Sequence, residues 1–285
     1  MKKRQLMSFV SAVMVSGVAF AEQAMHHAPV ADDVIIAQRA ALAKNTAGKG
    51  FGPQSPRDID TKAGSNARLF GAAPASTAMN LCNIHFHKNA EHKGGQFTQY
   101  AGNGDGKGYQ SGYKYSGKLT AAELTPVAVD VCPSAHGGLL SGDTIEVHYV
   151  YSSAQVSPGP TLGACLSDAI KNPQLRVETQ VYVVVNDAKA LDFGKLTRHE
   201  VKGGLHQATM IPNNTGKPIQ YAGSTTGPGY NENASPLQVT WRVRPKVAKV
   251  NIATVGQWCK GNTFKEDHAH GVRNLVINPD LLSKI

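Results

Sequence analysis

Apolar and polar positions in this chain alternate or bunch into short runs, and only one stretch has the composition of a helix, so the pattern predicts mostly strands. The clearest are Leu81–His87, Thr144–Tyr151, Val177–Val185 and Leu237–Arg244. All four are rich in β-branched and aromatic residues and lie among Gly, Pro, Asn and Ser punctuation. One helix is expected before them, over Asp32–Ala43, stopped by Gly48 and Gly50. Gly102–Gly112 reads as a glycine-dense loop with no strand–helix frame that would make it a phosphate cradle. Ser157–Pro160, Pro212–Gly216 and Tyr221–Pro228 read as turns, the last one carrying hydroxyls. No internal repeat or heptad appears. The expected organisation is an N-terminal extension over residues 22–50, partly helical, followed by a single mainly β (β-rich α+β) domain over 51–285.

The first 21 residues change the compartment. Lys2, Lys3 and Arg4 precede a short apolar core, Leu6–Phe20, and Ala19-Phe20-Ala21 has the small-x-small form of a cleavage site. This predicts a signal peptide cut after Ala21 and a periplasmic or secreted protein with no stable membrane insertion. The mature chain would have 264 residues (285 minus 21) and, without three leader cations, a formal charge of +6 instead of +9. That excess is scattered and lacks interleaved aromatics, which argues against a nucleic-acid surface. Oligomeric state is not encoded in any recognisable pattern.

Four cysteines, Cys82, Cys132, Cys165 and Cys259, suit disulfides in an exported chain, and three pairings are open. Strand alternation predicts that Cys82 shares a face with Ile84 and Phe86, away from His85 and His87.

The candidate chemistry lies on two of the strands. In Asn83-Ile84-His85-Phe86-His87 the two imidazoles point the same way, and His148 in Glu146-Val147-His148-Tyr149 supplies a third. Three neutral nitrogen ligands with a fourth position left to water is the pattern of a catalytic zinc site. Glu146 shares the face of His148, so its carboxylate can accept the second ring N–H and fix the tautomer. A threonine hydroxyl in the Tyr221–Pro228 turn could orient a nucleophile while donating to a carboxylate, for which Glu91 is the candidate. His268-Ala269-His270 repeats the His-x-His spacing, but in a polar stretch that reads as surface tail or loop.

In motif order the chain resembles carbonic anhydrase. The carrying residues are Gln54-Ser55-Pro56, His85-Phe86-His87, Glu91-His92, Glu146-x-His148, Tyr221-x-Gly223-Ser224-x-Thr226-x-Pro228 and Val239-Thr240-Trp241. The compact His-x-His-x₃-Glu-His spacing and glycine-rich insertions look closer to δ-class-like proteins, including bacterial relatives, than to a standard α-class enzyme. The resemblance implies a large, mostly antiparallel twisted sheet and one Zn²⁺ per chain on His85, His87 and His148. It also implies Thr226 and Glu91 as catalytic residues, with Glu146, His92 and Tyr221 as the polar network behind the metal. The implied reaction is reversible hydration of CO₂ to bicarbonate through zinc-bound hydroxide oriented by the threonine.

Several positions depart from the α-class pattern. Lys88 replaces the usual aromatic, Gly227 stands where a second threonine is usual, and no histidine occupies the usual proton-shuttle position. A non-catalytic carbonic-anhydrase-like module or a periplasmic metal-binding protein is the alternative reading. The first would be expected to lose a ligand or the threonine, and the second to carry a long histidine-rich loop.

Overall fold

The computed structural model describes residues 28–225 and 229–285. The leader segment, His26-His27, Thr226, Gly227 and Pro228 lie outside them. The elements are α1 (Asp32–Thr46), β1 (Asn80–Lys88), β2 (Gln99–Tyr100), β3 (Tyr113–Lys114), β4 (Thr144–Ser152), β5 (Leu175–Val185), α2 (Phe193–Leu196), β6 (His199–Lys202), β7 (Leu205–Ala208), β8 (Ile219–Ser224), β9 (Gln238–Val243), β10 (Ala248–Asn251) and α3 (Ile252–Cys259).

The four strands expected from the pattern are consecutive neighbours in one six-stranded mixed sheet, ordered β1-β4-β5-β9-β8, with β1 at one edge. β1–β4, β4–β5 and β8–β9 are antiparallel. β9 and β10 both run parallel to β5, β9 along Leu175–Thr179 and β10 along Tyr182–Val185. Every residue of β4 and β5 is buried, because both faces of the sheet are covered. On one face Ile84, Phe86, Val147, Tyr149, Tyr182 and Val184 pack with Phe193 of α2 and with Ile252, Val255 and Trp258 of α3. On the other, Val150, Val177 and Val181 pack with Tyr221, Val239 and Trp241. β-branched residues suit this two-sided burial, since their stiff side chains fill a pleated surface.

Two expectations are corrected here. β1 carries a bulge between Leu81 and Asn83, which leaves Cys82 as the extra residue. Cys82 therefore turns to the second face and packs with Val150, Cys165 and Val177, not with Ile84 and Phe86. Tyr221–Ser224, read as part of a turn, is instead the second half of the edge strand β8. Alternation is weak there because Gly223 interrupts it. A Cβ at Gly223 would lie 2.7 Å from Tyr221 Cε2 and 2.8 Å from Trp241 Cδ1, so close side-chain packing requires glycine.

Disulfides join Cys82 to Cys165 and Cys132 to Cys259. The helix α1 docks on the C-terminal segment, where Leu42 packs with Val276, Leu281 and Leu282. It also meets the glycine-dense loop, since Gln38 Nε2 donates to Gly106 O at 2.8 Å. Among the described residues no helix is long and apolar enough to cross a membrane.

Candidate metal centre

The β1–β4 register places His85 directly opposite His148 and His87 directly opposite Glu146. All four side chains point to the second face, so two strands bring three imidazoles and one carboxylate into a single patch. Ring centres lie 5.2 Å apart for His85–His87, 5.0 Å for His85–His148 and 4.7 Å for His87–His148. One nitrogen from each ring falls within 4.8 Å of the others.

Hydrogen bonds decide which nitrogen each ring turns inward. His85 Nδ1–H donates to Asn83 Oδ1 at 2.6 Å, His87 Nδ1–H to Gly271 O at 2.8 Å and His148 Nε2–H to Glu146 Oε1 at 2.6 Å. The inward atoms are then His85 Nε2, His87 Nε2 and His148 Nδ1, each with a free lone pair. Buried His87 Nε2 has no hydrogen-bond partner among the described residues, although a buried polar atom ordinarily has one. Burial holds the His85 imidazole well below its usual range, with help from His148, His87 and His270. Burial also pushes His87 down to about 4, outweighing the opposite pull of Glu91. Neutral rings with inward lone pairs are the donor set a dication needs. The residues fit a divalent metal.

Behind the rings runs a closed polar chain. Tyr221 O–H donates to His92 Nε2 at 2.7 Å, and His92 Nδ1–H donates to Glu146 Oε1 at 2.7 Å, the same oxygen that receives His148. The His92 backbone N–H donates to Glu146 Oε2 at 3.1 Å. Burial alone would raise the Glu146 carboxyl, but His92 and His148 outweigh it and hold it well below the usual carboxylate range. Burial pushes the Tyr221 phenol well up, so it keeps its proton to donate. Trp241 covers the chain, its ring 4.9 Å from both His92 and His148.

Glu91 stands beside His87 and His148. Its Oε1 accepts the Arg273 N–H at 2.9 Å, and buried Oε2 has no partner among the described residues, 3.7 Å from His87 Nε2. Gln54 and Ser55 tie down the end of β8 and Ser235. Ser55 Oγ donates to Ser224 O, and Gln54 Oε1 accepts the Ser235 N–H at 2.8 Å. A cavity of about 560 Å³ opens beside the rings, lined by His85, His87, Glu91, Leu162, Val272 and Arg273 among others.

Sequence reasoning missed several parts of this arrangement. Asn83 shares the parity of His85 and His87, so alternation alone could have found it. Gly271 and Arg273 act through backbone atoms and leave no side-chain signal. The stretch containing His268 and His270 is also more than a surface tail. His270 N donates to Phe86 O at 2.9 Å and Lys88 N to His270 O at 3.1 Å, which lays the segment beside β1. Its ring centre is 5.4 Å from that of His85.

Fold and centre together define a two-sided β domain that gathers three imidazoles beside a cavity. The chain belongs to the delta carbonic anhydrase family, whose sequence profile matches residues 76–254. Reversible hydration of CO₂ is thus its activity, with CO₂ and bicarbonate as substrate and product. Solved structures similar to it include a hyperthermostable carbonic anhydrase from an active hydrothermal vent chimney. That protein is 15% identical over 81% of this chain and 87% of its own, with a TM-score of 0.32. The α-carbonic anhydrase of Thermovibrio ammonificans, in complex with sulfanilamide, is 17% identical over 78% and 84%, with a TM-score of 0.27. The Photobacterium profundum α-carbonic anhydrase is 16% identical over 83% and 93%, with a TM-score of 0.28. These superpositions are loose, and family membership rests on the sequence profile. No curated protein sequence matches the chain.

Proposed function

We propose that the enzyme is exported and hydrates CO₂ at a Zn²⁺ ion held by His85, His87 and His148, with Thr226 and Glu91 orienting the attacking oxygen. The observation that carries this reading is the convergence of three inward lone pairs whose partner nitrogens are all engaged elsewhere. When bound, such an ion supplies a Lewis acid that lowers the pKa of water from about 16 to about 7.

The chain's own residues supply the rest. Asn83, Gly271 O and Glu146 hold the three rings in one tautomer each, which keeps the ligand nitrogens deprotonated and aimed. Three neutral ligands leave the charge of a dication undiminished. Leu162 and Val272 give the cavity an apolar wall for CO₂. Glu91 Oε2 is a buried carboxylate oxygen in need of a donor, and the Thr226 hydroxyl is the donor assigned to it. A threonine that gives its proton to Glu91 can only accept from the nucleophile, which turns an oxygen lone pair toward CO₂. Two disulfides support the exported location, since they persist in oxidising compartments.

The test is to purify the mature chain, measure bound metal and follow CO₂ hydration in wild type, His148→Ala and Thr226→Val. Wild type should hold one zinc and hydrate CO₂, H148A should lose both, and T226V should keep the metal with a lowered rate. Stoichiometric zinc with no hydration above buffer would overturn the assignment, as would full activity in T226V.

A further inference from the structure

We propose that His270 and His268, with Glu266 and Asp267 beside them, form an outer station that captures a divalent cation and passes it to the three-histidine centre. The proposal rests on the metal reading above and goes beyond it. Glu266-Asp267-His268-Ala269-His270 puts two carboxylates and two imidazoles into five residues of an otherwise basic chain. Backbone bonds from His270 to Phe86 and Lys88 hold this segment beside the ligand strand.

The rings form a ladder from surface to centre. His268 and His270 are stacked with centres 5.8 Å apart, and His270 stands 5.4 Å from His85 and 5.8 Å from His87. Two imidazoles on one tetrahedral ion, with nitrogens about 2 Å from it, bring their ring centres roughly 5 Å apart. The outer spacings are therefore within a rotamer adjustment of sharing an ion, and the inner three already have that spacing. His268 and His270 are both partly exposed, at 39% and 42%, whereas His87 and His148 are buried, at 6% and 3%. Glu266 lines the cavity and takes the His270 Nε2–H at 2.6 Å, which leaves Nδ1 as the ligand atom. The carboxylates beside it favour a cation at the mouth over the surrounding positive field. His270 and Glu266 line the same cavity as His85 and His87, so a hydrated ion entering there can exchange its waters for protein donors one at a time.

The test uses the full mature chain and Co²⁺, whose absorption reports nitrogen coordination at the centre. Uptake by metal-stripped protein and release from loaded protein to excess chelator are timed in wild type, H270A, H268A and E266Q. A station lies between the end states, so its loss should slow uptake and release equally, by about tenfold. Final stoichiometry and the equilibrium constant should stay unchanged. Wild-type rates in all three variants would overturn the station and leave the centre intact. A weakened equilibrium constant in H270A would make His270 a support of the centre, which also overturns the proposal. H268A alters a partly exposed ring, and its thermal unfolding curve checks that the fold survives. Failure of wild type to bind Co²⁺ at all would sink the metal centre and the station with it.

Discussion

The Nδ1 atom of His148 lies 3.2 Å from the Nε2 atom of His85, directly across the β1–β4 ladder. Both rings have already given their single N–H elsewhere, to Glu146 and to Asn83. Two lone pairs at this distance repel unless a cation lies between them. Added Zn²⁺ should therefore stabilise the metal-stripped protein, by about 2.7 kcal/mol at a hundred times Kd. For a chain this size that is a rise in Tm of roughly 5–10 °C. H85A or H148A should abolish the rise in a thermal scan, and an unchanged wild-type Tm would count against the centre.

Glu146→Gln keeps the shape of the carboxylate but supplies one acceptor oxygen where the carboxylate supplies two. With the amide oxygen at the Oε1 position its N–H₂ faces the His92 backbone N–H, and with the amide reversed both ring N–H groups lose their acceptor, so either way the His148 ring is held less firmly. Metal affinity should fall about 10–100-fold. Competition against a calibrated chelator measures it, and wild-type affinity in E146Q would show that the carboxylate's charge and second oxygen are dispensable.

Acid should destabilise the metal-stripped protein well before its carboxylates titrate. His87 is held down to about 4 by burial, while the unfolded chain protonates it near 6.5. Above pH 6.5 the ring is neutral in both states and contributes its full stability. Below that the unfolded chain takes a proton the folded one refuses, so stability falls with pH, by about 2 kcal/mol at pH 5 for this ring. His85 shifts the same way. Glu146, held low, adds its loss only below the normal carboxylate range. Urea midpoints at pH 7.5 and 5 read this directly, and a flat profile would contradict it.

Phe86 stands between His85 and His87 in sequence but on the other face, packed against Phe193 and Trp258 at 5.9 Å each. It is fully buried. Phe86→Ala should cost about 3–5 kcal/mol, measurable by denaturant unfolding. A loss below about 1 kcal/mol would mean this face is less tightly packed than described.

Reducing the disulfides should also be costly. Cys82–Cys165 and Cys132–Cys259 span 83 and 127 residues. Loops this long constrain the unfolded chain strongly, and removing one bridge typically costs about 2–5 kcal/mol. Paired Cys→Ser variants, compared by Tm, test each bridge separately.

The sheet's centre was legible because β1, β4, β5 and β9 owe their form to local composition: alternating or continuous apolar runs between turn residues. The His85–His87–His148 grouping was legible for the same reason, since period-two alternation fixes which side chains share a face. What stayed hidden depended on partners far along the chain. Nothing near Cys82 announces the bulge, which arises where β1 is matched against Tyr151 and Val150 of β4. β8 was hidden by Gly223, which is required by the Tyr221 ring two residues back together with Trp241 and Ser55 from distant parts of the chain. His270 reached the centre through backbone bonds to Phe86 and Lys88, over 180 residues away in sequence.

The alternation of β1 has a last consequence for assembly. A slip of one residue against β4 would bring Ile84 and Phe86 to the cavity and drive both imidazoles into the aromatic layer over α2 and α3. Such a misaligned chain could not gather the three nitrogens, so an ion held at the proposed centre would report strand alignment. A preparation's metal stoichiometry would then count its correctly threaded molecules.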